Sequence, residues 1–367
     1  MIDDRNTAAE EVARANNRDL QVAVNYLQAL EIHARDQYDE PQWTLTKDGI
    51  GFAPLGNIMA IAAPMKAGKT WLMQILSGAV LRGEYMGLQC PMEEARVMWF
   101  DTEQDKYDTQ MILRRMQQIC GWNHEEDNER FKIFSLRDFK RQDETQSMAV
   151  NRMQLIKAAV EWYKPHVVMV DGIRDLLDDF NDLQESARVV QEFMSLTSEY
   201  GCAIWNVLHV NPNSDKMRGH LGTELQNKVT DIFSVEKKKA GTDVTFKVTQ
   251  TAARHRDIDS FTFRIDDGPR YSIPVMVGSD EEAAFDTSRR AELFDMMKKY
   301  IPEIGGISRT KLREDMKRGG EGGTSKCLNM INEALNLGVI ETLISGKYRL
   351  KSLGETTVKT EDEEMPF

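Results

Sequence analysis

The spacing of apolar and polar residues divides the chain into a long alternating core flanked by two smaller segments. Between residues 46 and 270, short apolar runs alternate with helical patterns. The runs are Ile58–Ala63, Val97–Asp101, His166–Asp171 and Ala203–Val210. A run that is apolar at every position suits a strand covered on both faces, and helices between such strands imply parallel crossovers. The pattern predicts an α/β core with a mainly parallel sheet. Residues 233–250 read as a hairpin turning near Ala240 and Gly241, and Phe261–Asp266 as one further strand.

Residues 1–45 read as a helical segment, with an apolar series at Leu20, Val24, Leu27, Leu30 and Ile32 suited to packing or an oligomer contact. Pro269 and Pro274 mark a loop, and residues 271–287 read as a linker. Residues 288–352 give three helical patterns, then two short strands around Ser345 and Gly346. This order predicts a small winged-helix-like domain. Its third helix would turn Ser325, Lys326 and Asn329 outward and pack Leu328, Ile331 and Leu335 inside, with Lys347 and Arg349 on the wing meeting phosphates. Such domains contact either DNA or protein. Residues 353–367 form an acidic tail. It resembles the acidic tip of bacterial single-stranded DNA-binding proteins, which docks its last Phe on replication partners; a plain solubilising tail is the other reading.

Composition narrows this only in places. At 367 residues the chain holds one large domain and a smaller one. A net charge of -12 argues against coating duplex DNA by charge alone. The charge is uneven, however: Arg289–Lys351 carries 13 Lys/Arg against 8 Asp/Glu. Cys90, Cys120, Cys202 and Cys327 are scattered without metal-ligand spacing. No apolar run nears the roughly 18 residues of a membrane span, and the acidic start MIDDRNTAAEE is no secretion signal. A reduced, cytoplasmic setting without membrane attachment is expected.

The chemistry concentrates in the loop Ala63, Pro64, Met65, Lys66, Ala67, Gly68, Lys69, Thr70, followed by Trp71. It follows a strand and opens a helix, the context in which a P-loop cradles phosphates with backbone N–H groups. Gly68 permits close backbone approach, Lys69 would reach the β- and γ-phosphates, and Thr70 would offer its hydroxyl to Mg2+. Ala63 stands where the pattern has glycine, which a residue with negative φ tolerates. Asp171 ends an apolar strand and would support the Mg2+ of bound ATP.

Taken in order, APMKAGKTW, WFDTEQ, VMVDGIRDLLDDFND, VLHVNPNSDKMRGHLGTEL and AARHRDIDSFTFRID resemble the RecA/DnaB superfamily. Within it they are similar to the RepA-like replicative helicases and related ATPases of plasmids and mobile elements. The resemblance spans about residues 46–268 and implies a RecA-like core. It also implies that Glu103 polarises the attacking water and that His209 senses the γ-phosphate. Arg254 or Arg256 would serve as a finger reaching a neighbouring subunit's nucleotide. The working form would then be a homo-oligomeric ring, a hexamer. Loops over residues 172–182 and 211–224 would face single-stranded DNA, the second bearing Lys216, Arg218 and His220; Lys237–Lys239 reads as a solvated turn. The implied function is an ATP-hydrolysing DNA helicase motor. The alternatives are an ATP-dependent DNA-binding regulator and a recombinase-like filament ATPase.

Overall fold

The protein is represented by a computed structural model that describes residues 20–140, 145–179, 181–210, 217 and 219–351. The chain forms two compact units, Met1–Pro41 and Gln42–Phe367. In the first, among the described residues, helix α1 covers residues 20–30, and Leu20, Tyr26, Leu27 and Leu30 are exposed along it. The helical reading of residues 1–45 fails at its far end, where a strand begins at Trp43, and its residues 1–19 lie outside the described residues.

The second unit opens with β1 (Trp43–Lys47) and β2 (Ile50–Pro54). The turn between them is Asp48-Gly49, both at positive φ, which gives the twist that closes a two-residue hairpin. Strand β3 (Ile58–Ala63) is buried throughout and feeds α2 (Lys69–Arg82). A second tight hairpin, β4 (Glu84–Tyr85) and β5 (Leu88–Gln89), completes a four-stranded sheet with β1 and β2. Next come β6 (Val97–Asp101), α3 (Lys106–Cys120), β7 (Phe131–Ser135), α4 (Met148–Tyr163) and β8 (Val167–Asp171). After them follow α5 (Leu183–Tyr200), β9 (Ala203–His209), α6 (Gly219–Lys228) and the long hairpin β10 (Asp231–Ala240) and β11 (Asp243–Ala253). Strands β12 (Phe261–Asp267) and β13 (Ser272–Met276) close the large sheet.

That sheet has nine strands in the order β13-β12-β11-β10-β3-β9-β8-β6-β7, parallel from β10 to β7 and antiparallel at the other end. Strand β9 lies between β3 and β8. This is an α/β architecture with a mostly parallel sheet, as the alternation of apolar runs and helical patterns predicts. One apolar cluster lies on each side: α2 and α3 cover Met59, Ile61, Trp99 and Trp205, while α4, α5 and α6 cover Phe100, Val168, Val170 and Ile204.

Residues 271–287 differ from the linker reading. They contain all of β13 and the start of α7 (Ser279–Lys298). Pro274 fits a strand here because β13 is an edge, where a missing N–H breaks no ladder bond. The acidic first half of α7 is held to the sheet by Glu281–Arg264 (2.5 Å), Glu282–Lys247 (3.5 Å) and Asp286–Lys238 (3.3 Å). Its last turns place Leu293 and Met297 in a separate core with α8 (Arg309–Arg318), α9 (Thr324–Asn336), β14 (Ile340–Thr342) and β15 (Tyr348–Leu350). One continuous helix therefore joins the nine-stranded sheet to the C-terminal module. Lys238 is tied to α7, whereas Lys237 lies 5.8 Å from the Phe246 ring centroid, so Lys237–Lys239 is more than a solvated turn.

Candidate active site

The register of the parallel strands lines up the groups of interest. Asp101 pairs with Asp171, Asp171 with Val207, and Ala63 with His209. The loops leaving β3, β6, β8 and β9 therefore meet in one crevice at the carboxyl edge of the sheet, where open α/β sheets bind ligands.

Ala63 ends β3 and is absent from the positive-φ residues, so its methyl is tolerated as expected. The turn itself uses Lys66 at φ 59 and Gly68 at φ 99. A Cβ on Gly68 would lie 2.6 Å from Phe246 Cδ1, so the hairpin β10–β11 packs directly against the loop and excludes a side chain there. Helices α3, α4 and α5 are capped by Asp105, Ser147 and Asp182. Helix α2 has no side-chain cap and no acid in its first turn. Its N–H groups and the positive end of its dipole are thus left for an anion.

Lys69 Nζ donates to Ala63 O (3.1 Å) and Pro64 O (2.7 Å), and lies 3.0 Å from His209 Nδ1. An ammonium has no lone pair to offer, so Nδ1 accepts and the ring proton sits on Nε2. That nitrogen faces Glu103 Oε1 at 3.6 Å. Lys69, His209 and Glu103 thus form one line across the crevice. Burial lowers the Lys69 pKa, opposed by Asp171 and Glu103. The His209 ring beside Glu103 holds its carboxyl below the usual range. Thr70 Oγ1 donates to Asp171 Oδ2 at 3.2 Å. Burial, reinforced by Asp101 and Glu103, raises the Asp171 pKa to about 7. A divalent cation beside Asp171 would hold it ionised.

Two residues overlooked in the sequence set the position of Glu103. Asp101 is fully buried; its Oδ1 accepts from the N–H of Glu103 (3.0 Å) and of Gln104 (2.9 Å), and its Oδ2 from Gln104 Nε2 (2.8 Å). Thr102 Oγ1 is 3.0 Å from both Asp171 O and Gly172 O, fastening the Glu103 loop to the loop after β8. Beside them a pocket of about 30 Å³, with room for water, is lined by Glu103, Gly172, Arg174 and His209 together with Val207, Leu208 and Leu221.

Gly172 has φ 101, and a Cβ there would collide with Thr102 Oγ1 and come within 3.0 Å of Glu103 Cγ. Gly172→Ala should therefore keep nucleotide binding but lower kcat by on the order of tenfold or more, since a misplaced catalytic group loses rate steeply. Parallel titration of nucleotide binding and steady-state ATPase assays separate the two effects; equal turnover would show that the loop tolerates the shift.

The remaining sequence candidates lie elsewhere. Arg254 and Arg256 are exposed beyond the end of β11. The Arg254 N–H donates to Thr230 O and the Thr230 N–H to Ile58 O, so Arg254 is level with the start of β3. The P-loop leaves β3 five residues later, which at about 3.3 Å per residue is roughly 16 Å away. The Arg254 backbone is therefore at the edge of the sheet opposite this chain's own phosphate crevice, and Arg256 follows two residues later. His220 is exposed on α6. Lys216 and Arg218 lie outside the described residues, as does the acidic tail. Lys326 is exposed on α9 and Lys347 on the β14–β15 turn, both in the C-terminal module. All four cysteines are free. No helix among the described residues is long and apolar enough to cross a membrane.

The sequence model of a family described as AAA domain matches residues 24–215, more than half of the chain. The chain belongs to the AAA domain family. As an AAA-domain protein it is a P-loop ATPase, and the matched range includes Lys69, Thr70 and Asp171. No curated protein matches it. Among solved structures it is similar to the KaiC-like protein PH0186 from Pyrococcus horikoshii OT3, with 14% identity and a TM-score of 0.43 over 64% of this chain and 99% of that one.

The residues present fit ATP with Mg2+. An uncapped helix N-terminus, a buried lysine and a threonine hydroxyl on a carboxylate are the donor set such a ligand needs. Among the described residues no group of three or more His, Cys, Asp or Glu could hold a metal ion. A cation at Thr70 and Asp171 would therefore complete its shell with phosphate oxygens and water.

Proposed function

We propose that this AAA-domain ATPase is a motor that hydrolyses ATP to move along single-stranded DNA as a closed ring. In this reading it acts as a helicase in replication or transfer of a plasmid or mobile element. The observation that carries the ATPase chemistry is the line Glu103–His209–Lys69 at the mouth of the P-loop. Glu103 orients and deprotonates water in the small pocket it shares with Arg174 and His209. His209 links that carboxylate to Lys69, and so reports whether a γ-phosphate has drawn the lysine away. Lys69 and the α2 N-terminus bind phosphate charge, while Thr70 and Asp171 hold the ion. The bound cation supplies charge neutralisation on the phosphates.

Assembly is supported by the arginines. The Arg254 backbone lies at the sheet edge opposite its own P-loop, which supports a finger that acts on a second copy. DNA as the track is supported by the ordered motif series and by the cations Lys216, Arg218 and His220 in the stretch 211–224, of which residues 219–224 belong to α6. A second reading, a sequence-specific DNA-binding regulator, is favoured by one observation: the surplus of positive charge between Arg289 and Lys351.

The ATPase rate measured against single-stranded homopolymer separates them. A motor grips phosphates without regard to sequence and weakens steeply with salt. Homopolymer should stimulate the intact protein several-fold at low salt, and Lys216→Ala with Arg218→Ala should remove that stimulation while leaving the basal rate. A ring confirmed by mass but unmoved by homopolymer would transfer the assignment to the regulator.

A further inference from the structure

The C-terminal module contains a cleft of about 620 Å³ between the end of α7, the start of α8 and the β14–β15 turn. Four lysines line it, Lys298, Lys299, Lys311 and Lys347, against the two acids Glu303 and Asp315. They come from three different elements, and all four are exposed. Lys299 approaches Glu321 at 4.0 Å. Among the described residues, Lys298, Lys311 and Lys347 have no ion-pair partner within that distance. Four lysines against two acids give the cleft a surplus of positive charge, which an anion would relieve.

The rim adds a second, independent feature. Ile304 and Ile344 are 90% and 110% exposed, the two highest values among the large apolar residues described. Ile304 sits between Glu303 and Gly306 of the cleft wall, and Ile344 in the adjoining hairpin turn. The two segments lie side by side: Ile307 and Tyr348 exchange backbone hydrogen bonds (2.9 and 2.7 Å), and Leu343 and Lys347 press on Gly306. Paired exposed isoleucines beside a basic floor match a ligand that alternates charged phosphates with apolar sugar and base surfaces. A free phosphate has no apolar part to cover them.

We propose that this cleft is a DNA-binding site, with Lys298, Lys311 and Lys347 on consecutive backbone phosphates and Ile304 and Ile344 against the sugars or base edges. It lies apart from the outward face of α9, where a helix-turn-helix reading would put DNA. That face offers Lys326 as its one cation: Thr324, Ser325 and Asn329 are the other exposed residues of its first two turns. The cleft therefore reads the backbone and carries no base code. In the motor it would hold the strand as it enters or leaves the ring. The inference rests on DNA being the track, and the test is arranged so that the two can fail separately.

The experiment uses the full chain and fluorescent single-stranded and duplex DNA of mixed sequence, with binding titrated from low to moderate salt. Lys298→Gln/Lys311→Gln/Lys347→Gln should bind on the order of tenfold or more weakly at low salt. The slope of log affinity against log salt should shrink by about 2 on single strands, and closer to 3 on duplex, for three lost phosphate contacts. Ile304→Ser/Ile344→Ser should weaken binding and leave the slope unchanged, a signature that lost charge does not produce. Lys326→Gln should change little. Thermal unfolding of each variant verifies the fold. Intact protein that binds DNA, with the triple-lysine variant binding equally well, overturns the cleft and leaves the DNA track standing. Intact protein that binds no DNA at low salt overturns both. Inorganic phosphate or ADP that displaces DNA more strongly than chloride of equal ionic strength, with the isoleucine variant unaffected, makes the cleft a small-anion site and overturns the strand.

Discussion

Glu103→Gln should still bind ATP but hydrolyse it at least about a hundredfold more slowly, the usual weight of a positioned general base. Lys69→Ala should lose turnover and much of the nucleotide affinity together. The contrast follows from where the two side chains stand. Lys69 is a buried ammonium on the P-loop, hydrogen-bonded to Ala63 O and Pro64 O, and its removal takes a positive charge from the phosphate cradle. Glu103 lies across His209 from it and faces a pocket with room for water. Glutamine there keeps the size and the hydrogen-bonding reach, but it cannot accept a proton. Single-turnover hydrolysis of labelled ATP, beside equilibrium binding of a fluorescent nucleotide, resolves the two variants. Near-normal turnover in Glu103→Gln would remove Glu103 from the chemistry and leave only the phosphate-binding half of the site standing.

The second large effect concerns the arginines. Arg254→Ala/Arg256→Ala should reduce ATPase by on the order of a thousandfold, as loss of an arginine finger does elsewhere. It should do so with nucleotide binding nearly intact, because the strand rise puts the Arg254 backbone roughly 16 Å from its own P-loop, with Arg256 two residues later. Mixed in equal amounts with Lys69→Ala subunits, the arginine variant should regain about a quarter of parental activity, since random assortment in a closed ring leaves one interface in four with both halves intact. Specific activity should also rise with protein concentration. A monomer of constant activity, or a mixture with none, would place the finger within one chain.

Much of this site could be read from the sequence because phosphate chemistry constrains it tightly. A strand, a loop ending Gly68-Lys69-Thr70 and a helix leave few other uses for those residues, and apolar strands that end in Asp171 or precede Glu103 stand out against the runs before them. Asp101 and Thr102 were harder to see. Their roles depend on β6 lying beside β8 in a given register, which periodicity along one strand does not encode. Phe246 looked like an ordinary strand aromatic, and only the fold brings it against Gly68. The linker reading of 271–287 failed on local composition. Pro274 suggested a loop, yet an edge strand accommodates it, and the range 271–287 also takes in Asp280, Glu281 and Glu282. In the fold these three acids occupy the first turn of α7, where negative charge suits the helix dipole, and two of them pair with Arg264 and Lys247. The lysine cleft depends on α7, α8 and a hairpin turn converging, and no single stretch of sequence announces it.

The continuity of α7 has a mechanical meaning. A helix of 20 residues is about 30 Å long, clamped by ion pairs to β10, β11 and β12 at one end and embedded in a separate core at the other. Strand β11 presents Phe246 to the P-loop and its neighbour Lys247 to Glu282 of α7, so the sheet that senses the phosphate loop also carries the root of the helix. With no pliable joint between them, α7 behaves as a rigid arm. A tilt of about 10° at its root displaces the far end by about 5 Å, given that length. The amplitude at the C-terminal module is therefore set by the length of the arm and can far exceed the movement at the P-loop that starts it.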